Sequence, residues 1–249
     1  MNSRNKKRIL YLFPYAGGSS LSYLKWHGCF TNFEIMPLDY SGHGLREKEP
    51  FYDTIQDTAL DITVQITHSI SERNGEVSIA LFGHSMGGII AWHAARNLIE
   101  KYDIYPQMLC VSGCSVPSEF AIMDHYGIYA NNFQKHVDDH ILIDTLLRNE
   151  RLDKKIVESE SFKNRAFPII HHDYEMIAQY VNKQDNVLPI PIYAFAGEND
   201  PLLSIKDAVK WENITSREFK LFIFPGDHYF FEQKEVQCEI CKIIDNSIN

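Results

Sequence analysis

Short apolar runs alternate along the chain with longer segments in which apolar residues recur every three or four positions. The short runs lie at residues 8–13, 33–38, 77–82, 107–113, 191–196 and 219–224, and their apolar character predicts strands that are buried on both faces. Between residues 54 and 72, apolar side chains from Ile55 to Ile70 recur at helical spacing, which predicts a helix with one face on a sheet. The alternation predicts an α/β protein with a mostly parallel central sheet that is flanked by helices.

The alternation of strands and helices stops between the fourth and fifth predicted strands. From Pro117 to about Leu188 the sequence is charged and mostly helical in pattern. We interpret residues 117–188 as an inserted helical lid with its linker, and residues 1–116 and 189–249 as the core. A lid over a site excludes water and shapes the pocket beneath it.

Length and composition narrow the possible classes of protein. The chain has 249 residues, of which 45% are hydrophobic, and a formal net charge of −9. This size allows one domain with a large buried sheet, and the negative charge argues against nucleic-acid binding because phosphates would be repelled. No run approaches the roughly 18 apolar residues of a membrane span, and the apolar run after the basic start is too short for a signal peptide. We therefore expect a cytoplasmic protein that binds neither nucleic acid nor membranes.

One strand-to-helix junction has the sequence of a nucleophile elbow. Gly83 to Gly88 (GHSMGG) joins the third predicted strand to a helical run that starts at Ile89. Small residues allow the backbone to turn sharply there and leave the Ser85 hydroxyl exposed above the sheet. Such a serine needs a histidine as general base and an acid that orients the histidine.

Candidates for both partners follow later strands in the order serine, acid, histidine that is expected after such an elbow. Asp200 follows the fifth predicted strand, and His228 follows the sixth. Glu198 and Asp207 are competing acids, and Glu198 lies closer to the end of its strand. We predict a catalytic triad of Ser85, Asp200 and His228.

Two backbone amides are predicted to stabilise an oxyanion. The elbow supplies the amide of Met86, the residue after the nucleophile. We expect the second amide from the glycine-rich turn at residues 14–20 (PYAGGSS) after the first strand, and we assign it to Ala16. A phosphate-binding loop is the alternative for this turn, but no Gly-Lys-Ser/Thr follows it and its glycine spacing fits no dinucleotide-binding fingerprint.

No metal or cofactor site is predicted. Five cysteines, an odd number, fit a reducing compartment better than a disulfide framework. The spacings of Cys110, Cys114, Cys238 and Cys241 are compatible with zinc, but their apolar neighbours favour a buried strand and an amphipathic helix. The polar clusters at residues 136–140 (HVDDH) and 171–173 (HHD) are interpreted as solvated helix faces, and the turn at residues 39–44 (DYSGHG) as structural.

Three motifs together resemble those of the stand-alone type II thioesterases that accompany nonribosomal peptide and polyketide assembly lines. They are Phe13 to Ser19 (FPYAGGS), the elbow, and Gly226 to Phe230 (GDHYF), and the resemblance covers nearly the whole chain. It implies an α/β-hydrolase fold with a helical lid, the triad named above, and oxyanion amides at Ala16 and Met86. It also implies hydrolysis of acyl groups from the phosphopantetheine arm of acyl or peptidyl carrier proteins, without a cofactor of the enzyme's own. We expect a monomer.

The chain departs from the usual pattern of that family at two places. Ser41 to Gly44 (SGHG) stands where the family usually has an Arg-bearing turn, although Arg46 follows closely, and His171 to Asp173 stands where the family often has Arg-Ala-Asp. Neither departure touches the predicted triad. Two other functions stay open, a general carboxylesterase or lipase that would prefer oxygen esters, and a non-catalytic binding protein, which usually lacks a triad member.

Overall fold

A parallel sheet forms the centre of the protein. The computed structural model describes residues 7–73, 76–120, 137–148 and 152–247. Within these residues the strands are β1 (Lys7–Phe13), β2 (Glu34–Pro37), β3 (Val77–His84), β4 (Leu109–Ser112), β5 (Ile192–Gly197) and β6 (Phe219–Phe224). They pair in the order β2-β1-β3-β4-β5-β6, each neighbouring pair being parallel. The prediction of a mostly parallel sheet, and of all six strands, is confirmed.

Helices cover both faces of this sheet. In the described parts of the chain they are α1 (Ile55–Ser71), α2 (Met86–Tyr102), α3 (Asp139–Arg148), α4 (Lys154–Val157), α5 (Phe167–Gln179), α6 (Ile205–Val209) and α7 (Lys234–Asn246). Helices α1 and α2 pack on one face, whereas α7 and a 3-10 helix at Ser20–Trp26 pack on the other. Helix α1 begins where predicted, because the Thr54 side chain accepts a hydrogen bond from the amide of Asp57 and so caps the helix. None of the described helices is long and apolar enough to cross a membrane.

Strand β1 illustrates why the central strands are mostly apolar on both faces. Ile9, Tyr11 and Phe13 belong to the apolar cluster that contains α1 and α2, whereas Leu10 and Leu12 belong to the cluster that contains α7. Successive side chains of a strand point to opposite faces, and both faces are covered here. The central strands β1, β3, β4 and β5 are therefore buried along most of their length. The edge strands β2 and β6 are partly exposed, so the prediction of burial on both faces is wrong for these two.

The connection between β4 and β5 contains α3, α4 and α5 and contributes no strand to the sheet within its described residues. Val137, Leu142 and Phe162 form a small apolar cluster of its own, but Met176 and Tyr180 at the end of α5 belong to the main core. At its stem, the amide and hydroxyl of Ser118 donate to the two carboxylate oxygens of Asp185 at 2.8 and 2.6 Å. Residues 121–136 and 149–151 of the predicted lid lie outside the described residues, and the domain boundaries stay a prediction.

The strand order determines where a site can form. The chain passes from β1 outward to β2 and then crosses to β3 on the other side of β1. In parallel α/β sheets, a crevice opens beyond the carboxyl ends of the strands at such a reversal. The loops that follow β1 and β3 therefore lie side by side at this edge, and the loops after β5 and β6 emerge at the same edge.

Candidate active site

Ser85 occupies the sharp turn between β3 and α2. Its backbone has φ of +54° and ψ of −123°, a conformation that is unfavourable for a residue with a side chain. The turn is held by hydrogen bonds from the amide of Ser85 to the carbonyl of Ser112 at 2.7 Å and from the amide of Gly88 to the carbonyl of Ser85 at 2.9 Å. A Cβ at Gly87 would collide with the carbonyl oxygens of Phe13 and Pro14, so the elbow and the loop after β1 approach each other through backbone atoms.

His228 and Asp200 meet at the ends of β6 and β5. The Nδ1 atom of His228 lies 2.8 Å from Oδ2 of Asp200, and the two side chains are 5% and 0% exposed. The other carboxylate oxygen of Asp200 accepts from the amides of Leu202 at 2.8 Å and Leu203 at 3.2 Å. Because a carboxylate only accepts hydrogen bonds, Nδ1 of His228 carries a proton, and in the neutral ring Nε2 is the nitrogen that can accept one.

The competing acids have different surroundings: Asp207 has other polar partners, and the side chain of Glu198 is exposed. Asp207 accepts a hydrogen bond from the Ser204 hydroxyl at the start of α6 and pairs with Lys210 at 2.8 Å. The side chain of Glu198 is exposed, and its backbone amide donates to the carbonyl of Phe224. Of the three acids weighed from the sequence, Asp200 is the one that the structure brings to His228.

Ser85 and His228 both contact the backbone segment of residues 112–113. A Cβ at Gly113 would come 3.1 Å from Cε1 of His228, and the residue before Gly113 is Ser112, whose carbonyl binds the amide of Ser85. The hydrogen bonds of the described residues do not include one between the Ser85 hydroxyl and the His228 ring. Such catalytic contacts are often long in a protein without substrate and shorten in the complex.

His84 was not singled out from the sequence, although it precedes the nucleophile. Its ring is buried, its Nδ1 lies 2.9 Å from the Ser112 hydroxyl, and its centroid is 4.8 Å from that of His228 and 4.2 Å from that of Phe231. The His84 ring therefore packs against the rings of His228 and Phe231. His84 directly precedes Ser85 in the elbow motif, and this position is the sequence signal that could have indicated its contact with His228.

The loop after β1 presents the predicted Ala16 amide. The hydroxyls of Tyr23 and Tyr40 bind the carbonyls of Phe13 and Pro14 at 2.7 and 2.8 Å, which fixes the start of the loop to the core. The amides of the two residues after Ala16 already donate hydrogen bonds. That of Gly17 donates to a carboxylate, and that of Gly18 donates to the carbonyl of Tyr15. In the described structure no hydrogen bond occupies the amide of Ala16 or that of Met86, so both can donate to a ligand.

Asp173 is a polar contact of this loop that the sequence interpretation missed. The interpretation of residues 171–173 as a solvated helix face is wrong for Asp173, which is 0% exposed. Its Oδ2 accepts from the amide of Gly17 at 2.7 Å and lies 3.0 Å from Nε2 of His43. Asp173 shares a helix face with Ile170 and Ile177, three and four residues away, and an acid on an apolar face is the sequence signal of such a buried contact.

His43 belongs to the turn that was interpreted as structural, and it is 1% exposed. Burial alone would lower the pKa of His43, but the adjacent carboxylate of Asp173 and hydrogen bonding outweigh this effect, and the pKa is raised. Both ring nitrogens face acceptors, because Nδ1 lies 3.1 Å from the carbonyl of Ser41. Both nitrogens can donate to these acceptors only in the protonated ring, so the surroundings of His43 favour the imidazolium form, paired with Asp173.

The described residues contain no group of three or more His, Cys, Asp or Glu side chains that could hold a metal ion. Cys110 and Cys241 lie in the apolar cluster on one face of the sheet, whereas Cys114 lies in the cluster on the other. Burial raises the pKa values of the Cys110 and Cys114 thiols. His136, from the first polar cluster, lies outside the described residues.

A family model described as thioesterase domain matches residues 8–248 of the chain. The chain is also similar to the gramicidin S biosynthesis protein GrsT of Aneurinibacillus migulanus, with 26% identity over 250 residues that cover 98% of this chain and 92% of GrsT.

Two solved structures are similar in both fold and sequence. ClbQ from the colibactin NRPS/PKS pathway has a TM-score of 0.79 and 26% identity, and the match covers 96% of each chain. The type II thioesterase BorB from the borrelidin biosynthetic cluster has a TM-score of 0.78 and 25% identity, and the match covers 96% of this chain and 91% of BorB.

Proposed function

The chain belongs to the thioesterase domain family, and we propose that it hydrolyses acyl thioesters on the phosphopantetheine arms of carrier proteins in a nonribosomal peptide or polyketide assembly line. The observation that carries this proposal is the buried His228–Asp200 hydrogen bond of 2.8 Å beside the elbow that holds Ser85. The similarity to GrsT, ClbQ and BorB over at least 96% of this chain supports the substrate class. In this role the enzyme would remove misattached or stalled acyl groups.

In the proposed reaction, Ser85 attacks the carbonyl carbon of the thioester while Nε2 of His228 takes the serine proton. The amides of Ala16 and Met86 stabilise the negative charge that develops on the carbonyl oxygen. His228 then returns the proton to the departing sulfur, which leaves a free thiol and an acyl-serine. A water molecule attacks that acyl group by the same route and releases the carboxylic acid and the serine hydroxyl.

Asp200 has an orienting role in this scheme. Its carboxylate holds the proton of His228 on Nδ1 and stabilises the imidazolium that forms during attack. The two backbone amides that bind its other oxygen keep the carboxylate in place without a second side chain. Since a thiolate is a good leaving group, selection of the correct carrier is more demanding than cleavage of the bond.

We further propose that the protein acts as a monomer and docks its carrier proteins through local contacts. The formal net charge of −9 would repel an acidic carrier at long range, so apolar and local basic contacts must provide the attraction. A turnover rate that falls steeply with added salt would contradict this docking mode.

The experiment that tests the function compares three acetyl donors. Acetyl-phosphopantetheinyl carrier protein is followed by intact mass, beside acetyl-CoA and p-nitrophenyl acetate, with Ser85→Ala as the blank. We expect the acetyl-carrier to give the highest kcat/KM and Ser85→Ala to abolish turnover of all three. Turnover of the free ester alone would replace the proposal with a general esterase, and failure of Ser85 to react with a fluorophosphonate probe would favour a non-catalytic protein.

A further inference from the structure

The tip of the loop after β1 is held by helix α5. The amide of Gly17 donates to Oδ2 of Asp173 at 2.7 Å. Gly17 has φ of +74°, and a Cβ there would come 2.5 Å from Cγ1 of Ile170, one turn earlier on α5. The helix therefore contacts the loop through a close backbone approach and a charged hydrogen bond.

Hydrogen bonds to the core hold this loop on both sides of its tip (residues 16–18), and at the tip Ala16 packs against the apolar cluster that contains α1 and α2. Before the tip, Tyr23 and Tyr40 hold the carbonyls of residues 13 and 14. After the tip, the amide of Ser20 donates to Oδ1 of Asp39 at 2.7 Å. In the described part of the chain, the bond to Asp173 is the hydrogen bond that links the backbone of residues 16–18 to an element outside the loop. The carbonyl of Tyr15, in the same peptide plane as the Ala16 amide, accepts from the amide of Gly18, and the bond to Asp173 anchors this turn to α5.

His43 determines the charge of this contact. Its Nε2 lies 3.0 Å from the same Oδ2 that binds Gly17, and the side chains of His43 and Asp173 are 2% and 0% exposed. The other carboxylate oxygen of Asp173 is buried without a hydrogen-bond partner among the described residues. Two donors, the Gly17 amide and the His43 imidazolium, therefore fix this carboxylate.

The groups around His43 leave it dependent on Asp173. Asp39 lies within electrostatic reach, and the rings of Tyr40 and Phe51 pack edge-on against the imidazole with centroids 5.6 and 5.8 Å away. An isolated carboxylate here would oppose the negative charge of an oxyanion nearby, and the imidazolium cancels that effect.

We propose that Asp173 is a positioning residue for the oxyanion hole: paired with protonated His43, it holds Gly17 so that the Ala16 amide faces the reacting carbonyl only while α5 is packed on the loop. This inference rests on the proposed function. It gives the β4–β5 connection a part in the chemical step.

The test measures kcat and KM for p-nitrophenyl acetate between pH 6 and pH 9.5 in the full-length wild type and in Asp173→Ala and Asp173→Asn. We expect Asp173→Ala to lower kcat by about 10- to 100-fold with little change in KM, because loss of one oxyanion donor lowers kcat by about 10²- to 10³-fold and misalignment is a partial loss. Thermal unfolding identifies a variant that fails to fold. If Asp173→Ala does not fold, the test is made with the isosteric Asp173→Asn.

The Asn variant separates geometry from charge. At low pH its oxygen can accept from Gly17 and from protonated His43, so we expect kcat close to that of the wild type. At higher pH His43 loses its proton, and without the Asp173 carboxylate this loss occurs at a lower pH than in the wild type. The alkaline fall in kcat should therefore lie at lower pH in Asp173→Asn than in the wild type.

Tyr180→Phe is the matched control. It removes another buried hydrogen bond between the β4–β5 connection and the core, the 2.9 Å contact from the Tyr180 hydroxyl to Nε2 of His93, and leaves Gly17 untouched. We expect its kcat to stay within about twofold of the wild type, since no oxyanion donor is affected.

Unchanged kcat in Asp173→Ala, an equal loss in Tyr180→Phe, or an unshifted alkaline limb in Asp173→Asn would overturn the inference while the proposed function stands. Full ester hydrolysis by Ser85→Ala would overturn both. If the free ester is hydrolysed but the acetyl-carrier is not, the substrate proposal fails, and the ester kinetics still decide the role of Asp173.

Discussion

Replacing Asp200 with Asn is a specific test of the proposed triad, because the surrounding backbone determines the orientation of the side-chain amide of the introduced Asn. One carboxylate oxygen of Asp200 accepts from the amides of Leu202 and Leu203, and the other faces Nδ1 of His228. An amide nitrogen cannot accept a hydrogen bond. The oxygen of the introduced side chain would therefore take the position that faces the two backbone amides, and its NH₂ group would face His228.

That orientation places the proton of neutral His228 on Nε2, the atom that must accept the Ser85 proton. In a serine protease the corresponding loss of the correct tautomer lowers kcat about 10⁴-fold, which is about 5 kcal/mol of transition-state stabilisation at about 1.36 kcal/mol per tenfold change. We expect Asp200→Asn to lower kcat for p-nitrophenyl acetate by about 10³- to 10⁴-fold, with KM changed by less than about threefold.

Two control variants remove a nearby carboxylate without altering the histidine. Glu198→Gln changes the acid that competed with Asp200 on sequence grounds, and Asp227→Asn changes an exposed residue next to His228 whose carboxylate binds the amide of Tyr229. Both should retain nearly full kcat, and thermal unfolding should show all three variants folded. The reasoning is refuted if Asp200→Asn keeps more than about a tenth of kcat, or if Glu198→Gln loses as much.

Three further changes test the elbow, a buried histidine and the core. Gly87→Ala places a Cβ against backbone carbonyls of the loop after β1, so we expect most esterase activity to be lost, and wild-type kcat would contradict this close approach. Burial and nearby Arg96 lower the pKa of His93 to about 4. Since the unfolded chain takes up a proton below about pH 6.5, the free energy of unfolding should fall by up to about 3 kcal/mol between pH 6.5 and pH 4. His93→Gln should flatten that dependence in urea titrations, and an unaltered slope would refute it. Trp26→Ala removes a fully buried ring that packs on Phe82 and should cost about 3–5 kcal/mol in urea unfolding, where a loss below about 1 kcal/mol would contradict its core position.

Much of the fold and of the candidate site follows from local sequence patterns. The apolar runs predict all six strands. The reason is strongest for the central strands, whose two covered faces both need apolar residues, because the edge strands β2 and β6 are partly exposed. The elbow at Ser85 needs a close backbone approach and small neighbours, so it is visible as a short motif. Asp200 and His228 are predictable because parallel strands bring their carboxyl ends to one edge, so residues after β5 and β6 emerge together.

Contacts between distant segments could not be predicted in the same way. The sequence left Asp200, Glu198 and Asp207 as candidate acids, and packing of the loop after β5 against β6 decided between them. Asp173 looked like part of a solvated helix face, because one helix's periodicity does not reveal what packs against it.

The sequence by itself determined the order of the elements and predicted a nucleophile and the classes of its partners, since each depends on residues close together in the chain. Only the tertiary structure decided that α5 lies on the loop after β1, where Asp173 binds Gly17 and His43 across 156 and 130 positions of sequence. A buried ion pair is stable only when the fold brings both charges together and excludes water around them. That condition belongs to the packed molecule: an acid on the apolar face of α5 can indicate burial, but it does not identify Gly17 and His43 as the partners.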